Sequence, residues 1–256
     1  MKPISEFMDK NRMEQLVQRL AAAMDQQRQA GIQDYGWPVD CECHECGDTG
    51  INPHTNAACW CEVGRGIQLH KELEASWPKY APHIHLNSRL ETHPVPRARE
   101  AGTAWLEQDY PANRGLVLTG SVGSGKTGLA VALAYQVHMQ GKRVRIGTFT
   151  EILDEMRPKA GTFEHNTEPA DMYKPHLLVL DDLGTQKVTE FVEERLFAII
   201  DGRHQRKLPT IITTNLDVTQ LNQQFGRRVV SRIVELSRFV TLSGDDLRFQ
   251  KALGAA

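Results

Sequence analysis

Gly120, Ser121, Val122, Gly123, Ser124, Gly125, Lys126 and Thr127 run consecutively and have the types and spacing to hold a nucleoside triphosphate. They fit G-x-x-x-x-G-K-[ST] at every fixed position. The glycines let backbone N–H groups converge on an anion, and a helix starting at the loop adds positive potential. Lys126 would reach the outer phosphates, and the Thr127 hydroxyl would ligate Mg²⁺. Downstream, the run Leu177-Leu178-Val179-Leu180 ends in Asp181 and Asp182. In a phosphate-loop protein the first acid holds Mg²⁺ through water, and the second polarises the attacking water. The run Thr210-Ile211-Ile212-Thr213-Thr214 ends in Asn215, a residue type able to place that water near the γ-phosphate. An acid pair at a strand end is also common in surface turns, and Asn after a strand is usually a turn residue or a helix cap. The phosphate loop upstream is what gives both a chemical reading.

A second constellation lies near the N-terminus. Cys43-x2-Cys46 and Cys59-x-Cys61 are two close pairs separated by a twelve-residue gap. Four thiolates so spaced suit tetrahedral zinc. Gly47 and Gly50 permit the tight turn such a site needs. Cys41 is left over, and His44 and His54 are near enough in sequence to replace a thiol. An odd cysteine count argues against a disulfide framework. Four ligands leave no open coordination position, so the metal's role is to hold a module too small to fold on hydrophobic burial alone.

These groups need elements to position them. Leu116-Val117-Leu118 reads as a buried strand entering the phosphate loop, and Leu129 to Ala134 as the helix leaving it, before Gly141. Strands are expected at 116–119, 144–149, 177–181, 210–215 and 239–243, with helices at 126–140, 190–203 and 218–225. Pro96 suits the first position of a further helix that runs through Trp105 and Leu106. Such alternation means an α/β fold, a parallel sheet with helices on both faces. Ahead of it, residues 9 to 30 read as an amphipathic helix, capped by Asp9 and ended by Gly31, with Met13, Leu16, Val17, Leu20 and Met24 in one stripe. That stripe is either core packing or a partner-binding face. A looser stretch with Pro78, Pro82, Pro94 and Pro96 sets a boundary near residue 80, dividing the chain into 1–80 and 81–256. A net charge of −2 excludes a globally basic nucleic-acid coat. Basic residues still cluster at Arg203, Arg206 and Lys207, and at Arg227, Arg228, Arg232 and Arg238, where a solvated surface is the simplest reading. The longest apolar run is too short to span a bilayer, and the N-terminus MKPISEFMDK has no apolar centre of a secretory signal. The expected location is the cytoplasm, with no membrane partner.

The order GLVLTGSVGSGKT, LLVLDDLG, PTIITTN, RRVVSRI and SGDDLR resembles the AAA+ ATPases of the bacterial and phage replicative-helicase loaders, the DnaC and DnaI type. The likeness runs from about residue 100 to 250. The pattern CHECGDTG…CWC is similar to the DnaI-type and many phage loaders. IstB, the transposition helper ATPase, is related through the ATPase part but typically lacks the cysteine module, which favours a loader. The resemblance implies that Asp181 is the metal acid and Asp182 the catalytic acid. Glu is commoner in the second place among AAA+ proteins, and the shorter Asp implies slow hydrolysis used as a switch. It also implies that Asn215 is the sensor 1 residue and Arg248 the sensor 2 arginine. Arg232 matches the finger given to a neighbour's ATP, with Arg228 as an alternative. The stretch from Thr185 to Phe191 resembles the loaders' contact with single-stranded DNA. There Thr189 would bond a phosphate and Phe191 would stack on a base, unless Thr189 caps the next helix and Phe191 packs in the core. Lys159 and Phe163 are further candidates of that sort. The implied function is ATP-dependent loading of a hexameric replicative DNA helicase onto single-stranded DNA. Self-association through AAA+ interfaces and the cofactors ATP, Mg²⁺ and structural Zn²⁺ belong to it. The alternatives are an IstB-like helper of DNA transposition and an ATP-switched module that binds or inhibits a helicase.

Overall fold

Short runs of Leu, Val, Ile and Thr form five strands: β1 (Gly115–Gly120), β2 (Val144–Thr148), β3 (Leu177–Leu183), β4 (Thr210–Thr214) and β5 (Ser237–Leu242). Six α-helices accompany them: α1 (Glu62–Ser76), α2 (Pro96–Ala104), α3 (Lys126–Met139), α4 (Phe149–Glu155), α5 (Glu190–Gln205) and α6 (Val218–Leu236). The computed structural model describes residues 43, 46, 49–53, 55–157, 168–243, 246 and 247. The expected helix over residues 9–30 lies outside them, as do Cys41, His44, His54, Lys159, Phe163 and Arg248. The described residues divide into two compact units. One runs up to Ser76 and takes in Met139–Gly141; the other comprises Trp77–His138 and the chain from Lys142 onward. Among the described residues no helix is long and apolar enough to cross a membrane.

The sheet has the order β2-β3-β4-β1-β5, and every neighbouring pair is parallel. All of β4 and the first five residues of β1 are buried, as expected of strands covered on both faces. Val117, Ile212 and Leu180 lie in register across β1, β4 and β3. They share one core cluster with Leu196 and Ile199 of α5 and Val229 and Ile233 of α6. Burying each such side chain contributes about 1.5–3 kcal/mol. Leu116 and Leu118 lie outside that cluster, as does α3, which is buried from Leu129 to Ala134.

Local chemistry sets the helix ends. Pro96 occupies the start of α2, as its fixed φ predicts, and the chain then widens into a π-helical turn over Trp105–Asp109. Thr148 with Glu151 and Asp217 with Gln220 form capping boxes at α4 and α6. The sequence places the end of α6 at residue 225. The first helical segment does end there, at a kink where Gly226 is non-helical (φ 77°), and a second segment runs on to Leu236.

Arg203 departs from the surface reading of its neighbours. Arg206 and Lys207 are exposed, but Arg203 is buried. Its guanidinium donates to Thr210 Oγ1 (2.8 Å) and to the carbonyls of Met172 (2.6 Å), Pro175 (3.0 Å), His176 (3.1 Å) and Pro209 (2.6 Å). Burial pulls its pKa down to about 9, so it still carries its charge at neutral pH. This fork joins the end of α5 to the starts of β3 and β4. Arg203→Ala orphans buried acceptors and is expected to lower unfolding free energy by at least about 3 kcal/mol in a urea titration. Arg227→Ala, at an exposed position, should stay within about 0.5 kcal/mol of the parent.

Candidate functional site

β1 delivers the phosphate loop at its carboxyl end, and α3 begins at Lys126. Gly120, Gly123 and Gly125 all have positive φ (140°, 77° and 88°), conformations that favour glycine and let successive amides face one concavity. The Lys126 ammonium is held over the loop by Gly120 O (3.0 Å), Ser121 O (2.7 Å) and Ser124 Oγ (3.5 Å). Ser121 and Val122 are exposed at the tip.

Thr127 points to the end of β3, where its hydroxyl donates to Asp181 at 2.9 Å (Oδ1) and 3.2 Å (Oδ2). The Thr213 hydroxyl, on β4, also donates to Asp181 Oδ1, at 2.5 Å, and itself accepts the Asp182 N–H at 2.9 Å. An acceptor-only carboxylate thus draws two hydroxyls from two elements, an arrangement able to orient ligands of a Mg²⁺ ion. Thr213 lies inside a run the sequence singled out, but no role for it could be read there. Its partner is 32 residues away and meets it only because β3 and β4 are neighbours.

The remaining expected residues are distributed as follows. Asp182 is exposed, with a left-handed backbone (φ 58°), where pairing of β3 with β4 shifts register between Leu180 and Leu183. Asn215 is exposed immediately after β4. Arg232, on α6, is ion-paired with Asp201 (3.3 Å) and Glu235 (2.9 Å). The Arg228 guanidinium lies 3.8 Å from the centre of the Phe197 ring. Thr189 is the N-cap of α5 and accepts the Val192 N–H (3.4 Å). Phe191 is half-buried against the core cluster, 5.0 Å from the Arg195 guanidinium. The intervening loop is tied down. Thr185 Oγ1 donates to Asp182 O, and Gln224 Nε2 donates to Gly184 O and Gln186 O.

In the other unit, the sulfurs of Cys43, Cys46, Cys59 and Cys61 all lie within 4.8 Å of one another. Cys43 Sγ is 3.7 Å from Cys59 Sγ, and Cys46 Sγ is 3.6 Å from Cys61 Sγ. A disulfide requires about 2.05 Å. A tetrahedral ion with metal–sulfur bonds of about 2.3 Å sets its sulfurs about 3.8 Å apart. The four thiols therefore fit one such ion, and they make a complete tetrahedral set without Cys41, His44 or His54. Burial, and then the neighbouring thiols, raise the Cys46 pKa above its ordinary range; a bound dication reverses that preference. The Gly64 N–H approaches Cys61 Sγ (3.4 Å), and a Cβ on Gly64 would stand 1.9 Å from Cys59 O. Only glycine lets α1 start so close to the second cysteine pair. Gly50, expected at the turn, has a positive φ (73°) and accepts the Cys59 N–H (2.8 Å), while Gly47 lies outside the described residues.

Residues 98–255 match the family described as IstB-like ATP binding protein. The chain belongs to the IstB-like ATP-binding family. Within this family's wider kin, the replicative helicase loader DnaC of Escherichia coli K12 is 27% identical over 150 residues, covering 57% of this chain and 61% of the loader. A protein of a Mycobacterium tuberculosis insertion sequence, named for ATP binding, is 26% identical over 159 residues, covering 60% of this chain and 62% of that protein. The chain thus spans about three fifths of the length of these curated relatives. The crystal structure of the DnaC helicase loader superposes with a TM-score of 0.55 at 26% identity, covering 63% of this chain and 99% of that one. The sheet order and phosphate loop of this IstB-like protein are therefore those of a DnaC-like AAA+ fold.

The Thr213 contact can be tested directly. Thr213→Val removes one charge-assisted hydrogen bond from Asp181, worth about 1.5–3 kcal/mol. It is expected to raise the Mg²⁺ concentration needed for tight nucleotide binding roughly ten-fold. Fluorescent-nucleotide titrations at varied Mg²⁺ would reveal this; binding without Mg²⁺ should be unchanged.

Proposed function

We propose that this chain is an ATP-dependent loader of a replicative DNA helicase onto single-stranded DNA. One observation carries the reading: Lys126, Thr127 and Asp181 converge at the carboxyl edge of a sheet whose likeness to the DnaC loader covers 99% of that solved chain. In this scheme the loop amides and Lys126 hold the triphosphate. Thr127 and Asp181 would hold and orient Mg²⁺, which would supply charge neutralisation for the triphosphate. Asp182 polarises the attacking water and Asn215 helps to place it. Arg232 exchanges its present carboxylate partners for the ATP of an adjacent subunit, so the nucleotide also reports assembly. Arg248 would contact the same nucleotide from its own subunit. Thr189 and Phe191 are engaged in capping α5 and packing on the core and are given no DNA contact; segment 9–30 with the cysteine cluster would grip the helicase.

The same four cysteines support a structural zinc site. Among its described residues the unit that holds them buries few apolar side chains, and a bound ion would supply the cross-link that burial does not. A second reading, an ATPase helper of DNA transposition, is favoured by the family description and by the insertion-sequence relative. It predicts a transposase as partner in place of a helicase.

Lys126→Ala removes the cation that neutralises the triphosphate. It is expected to weaken ATP binding by tens of fold or more, from loss of about 2–3 kcal/mol, and to abolish helicase loading. Helicase binding should survive in a pulldown with the cognate helicase. Normal loading by this variant would sink the proposal, and recovery of a transposase would replace it with the second reading.

For the metal, purified protein is expected to carry one zinc per chain by elemental analysis. Cys59→Ser should lose it, and a strong chelator should open the α1 unit to proteolysis while leaving nucleotide binding intact. Full protease resistance after complete zinc removal would contradict a structural role.

A further inference from the structure

His93 is buried beside the phosphate loop, and neither the family likeness nor the chemistry above gives it a part. Its Nδ1 accepts the backbone N–H of Val95 (3.2 Å). A neutral imidazole with an accepting Nδ1 carries its proton on Nε2. That Nε2 lies 3.2 Å from Gly125 O, a carbonyl that can only accept, so the ring donates to the phosphate loop. The same carbonyl also accepts Leu129 N–H (2.9 Å), the first hydrogen bond of α3. Both lone pairs of Gly125 O are thereby engaged. The fit is close: a Cβ on Gly125 would stand 3.0 Å from two atoms of the ring.

The consequence follows from peptide geometry. The C=O of Gly125 and the N–H of Lys126 belong to one planar trans peptide and point in opposite directions. Fixing the carbonyl on His93 and the first turn of α3 aims the Lys126 N–H away from both, toward the side where an anion on this loop would sit. We infer that His93 is a positioning residue that sets the direction of the Lys126 amide and so tightens triphosphate binding. This rests on the phosphate-loop reading given above. Val95 is the N-cap of α2, so the imidazole also joins the start of α2 to the start of α3. Arg99 Nη1 donates to the His93 carbonyl and helps to hold this segment in place.

Two substitutions separate the two bonds of the ring. His93→Asn keeps an acceptor near the Nδ1 position, for Val95, but cannot reach Gly125. His93→Gln keeps an N–H near the Nε2 position. The probe is a fluorescent ATP analogue with Mg²⁺, titrated against full-length protein, with urea unfolding of each variant measured alongside. His93→Asn is expected to raise the dissociation constant about ten-fold, and His93→Gln to stay within about three-fold of the parent. A role confined to bracing α2 would give the reverse order. Parental affinity in His93→Asn, or equal weakening in both variants, would overturn the inference. His93→Gln decides alone should His93→Asn not fold: a ten-fold loss at an unchanged urea midpoint counts against it. Lys126→Ala serves as the control. A parent protein without affinity for the analogue would instead remove the nucleotide-site reading, and this inference with it.

Discussion

Parallel strands all end at one edge, and three ends must meet here for the chemistry to exist. β1 supplies the loop, β3 the carboxylate and β4 the hydroxyl. The order β3-β4-β1 puts the hydroxyl between the other two. Thr213 thus reaches Asp181 from the neighbouring strand, and Thr127 reaches it from the start of α3. Neither contact is local in sequence, and neither survives a change in strand order. The hydrophobic register of Val117, Ile212 and Leu180 maintains that order. Core packing therefore acts on the site by fixing which strand ends are neighbours, and each polar contact then needs only a short side chain.

What could be read from the sequence divides along that line. The phosphate loop, the acid pair and all five strands were legible, because each is written in consecutive residues with a pattern of its own. The start of α2 was legible from Pro96, whose ring fixes the one torsion that matters there. Thr213, His93 and Arg203 were not. Each is an ordinary residue type whose meaning depends on a partner at least 28 residues away, apart from the partners Arg203 also has nearby. Arg203 is the plainest case. A basic triplet at a helix end looks like solvated surface, and only the fold brings Met172, Pro175 and His176 to one of its members. The cysteine pairs were legible by spacing. Gly64 was not, because its need to be glycine comes from the carbonyl of Cys59 against α1.

The two units rely on different physics. The larger is held by a continuous apolar core and by hydrogen bonds that close its strand ends. The smaller gathers four sulfurs within 4.8 Å of one another, at separations that a tetrahedral ion would also set. A cross-link by coordination can be made and unmade by metal supply, whereas an apolar core cannot. With zinc bound as proposed, the stability of the smaller unit would follow metal supply and that of the larger would not.

The register shift between Leu180 and Leu183 has a cost and a use. In an unbroken strand, side chains at successive positions face opposite sides of the sheet, so adjacent carboxylates could not serve one place. The irregularity, with Asp182 in a left-handed conformation, breaks that alternation just where two acids stand together. Deleting a single residue here would give a smoother ladder and a better-ordered edge while dismantling the arrangement of the two acids.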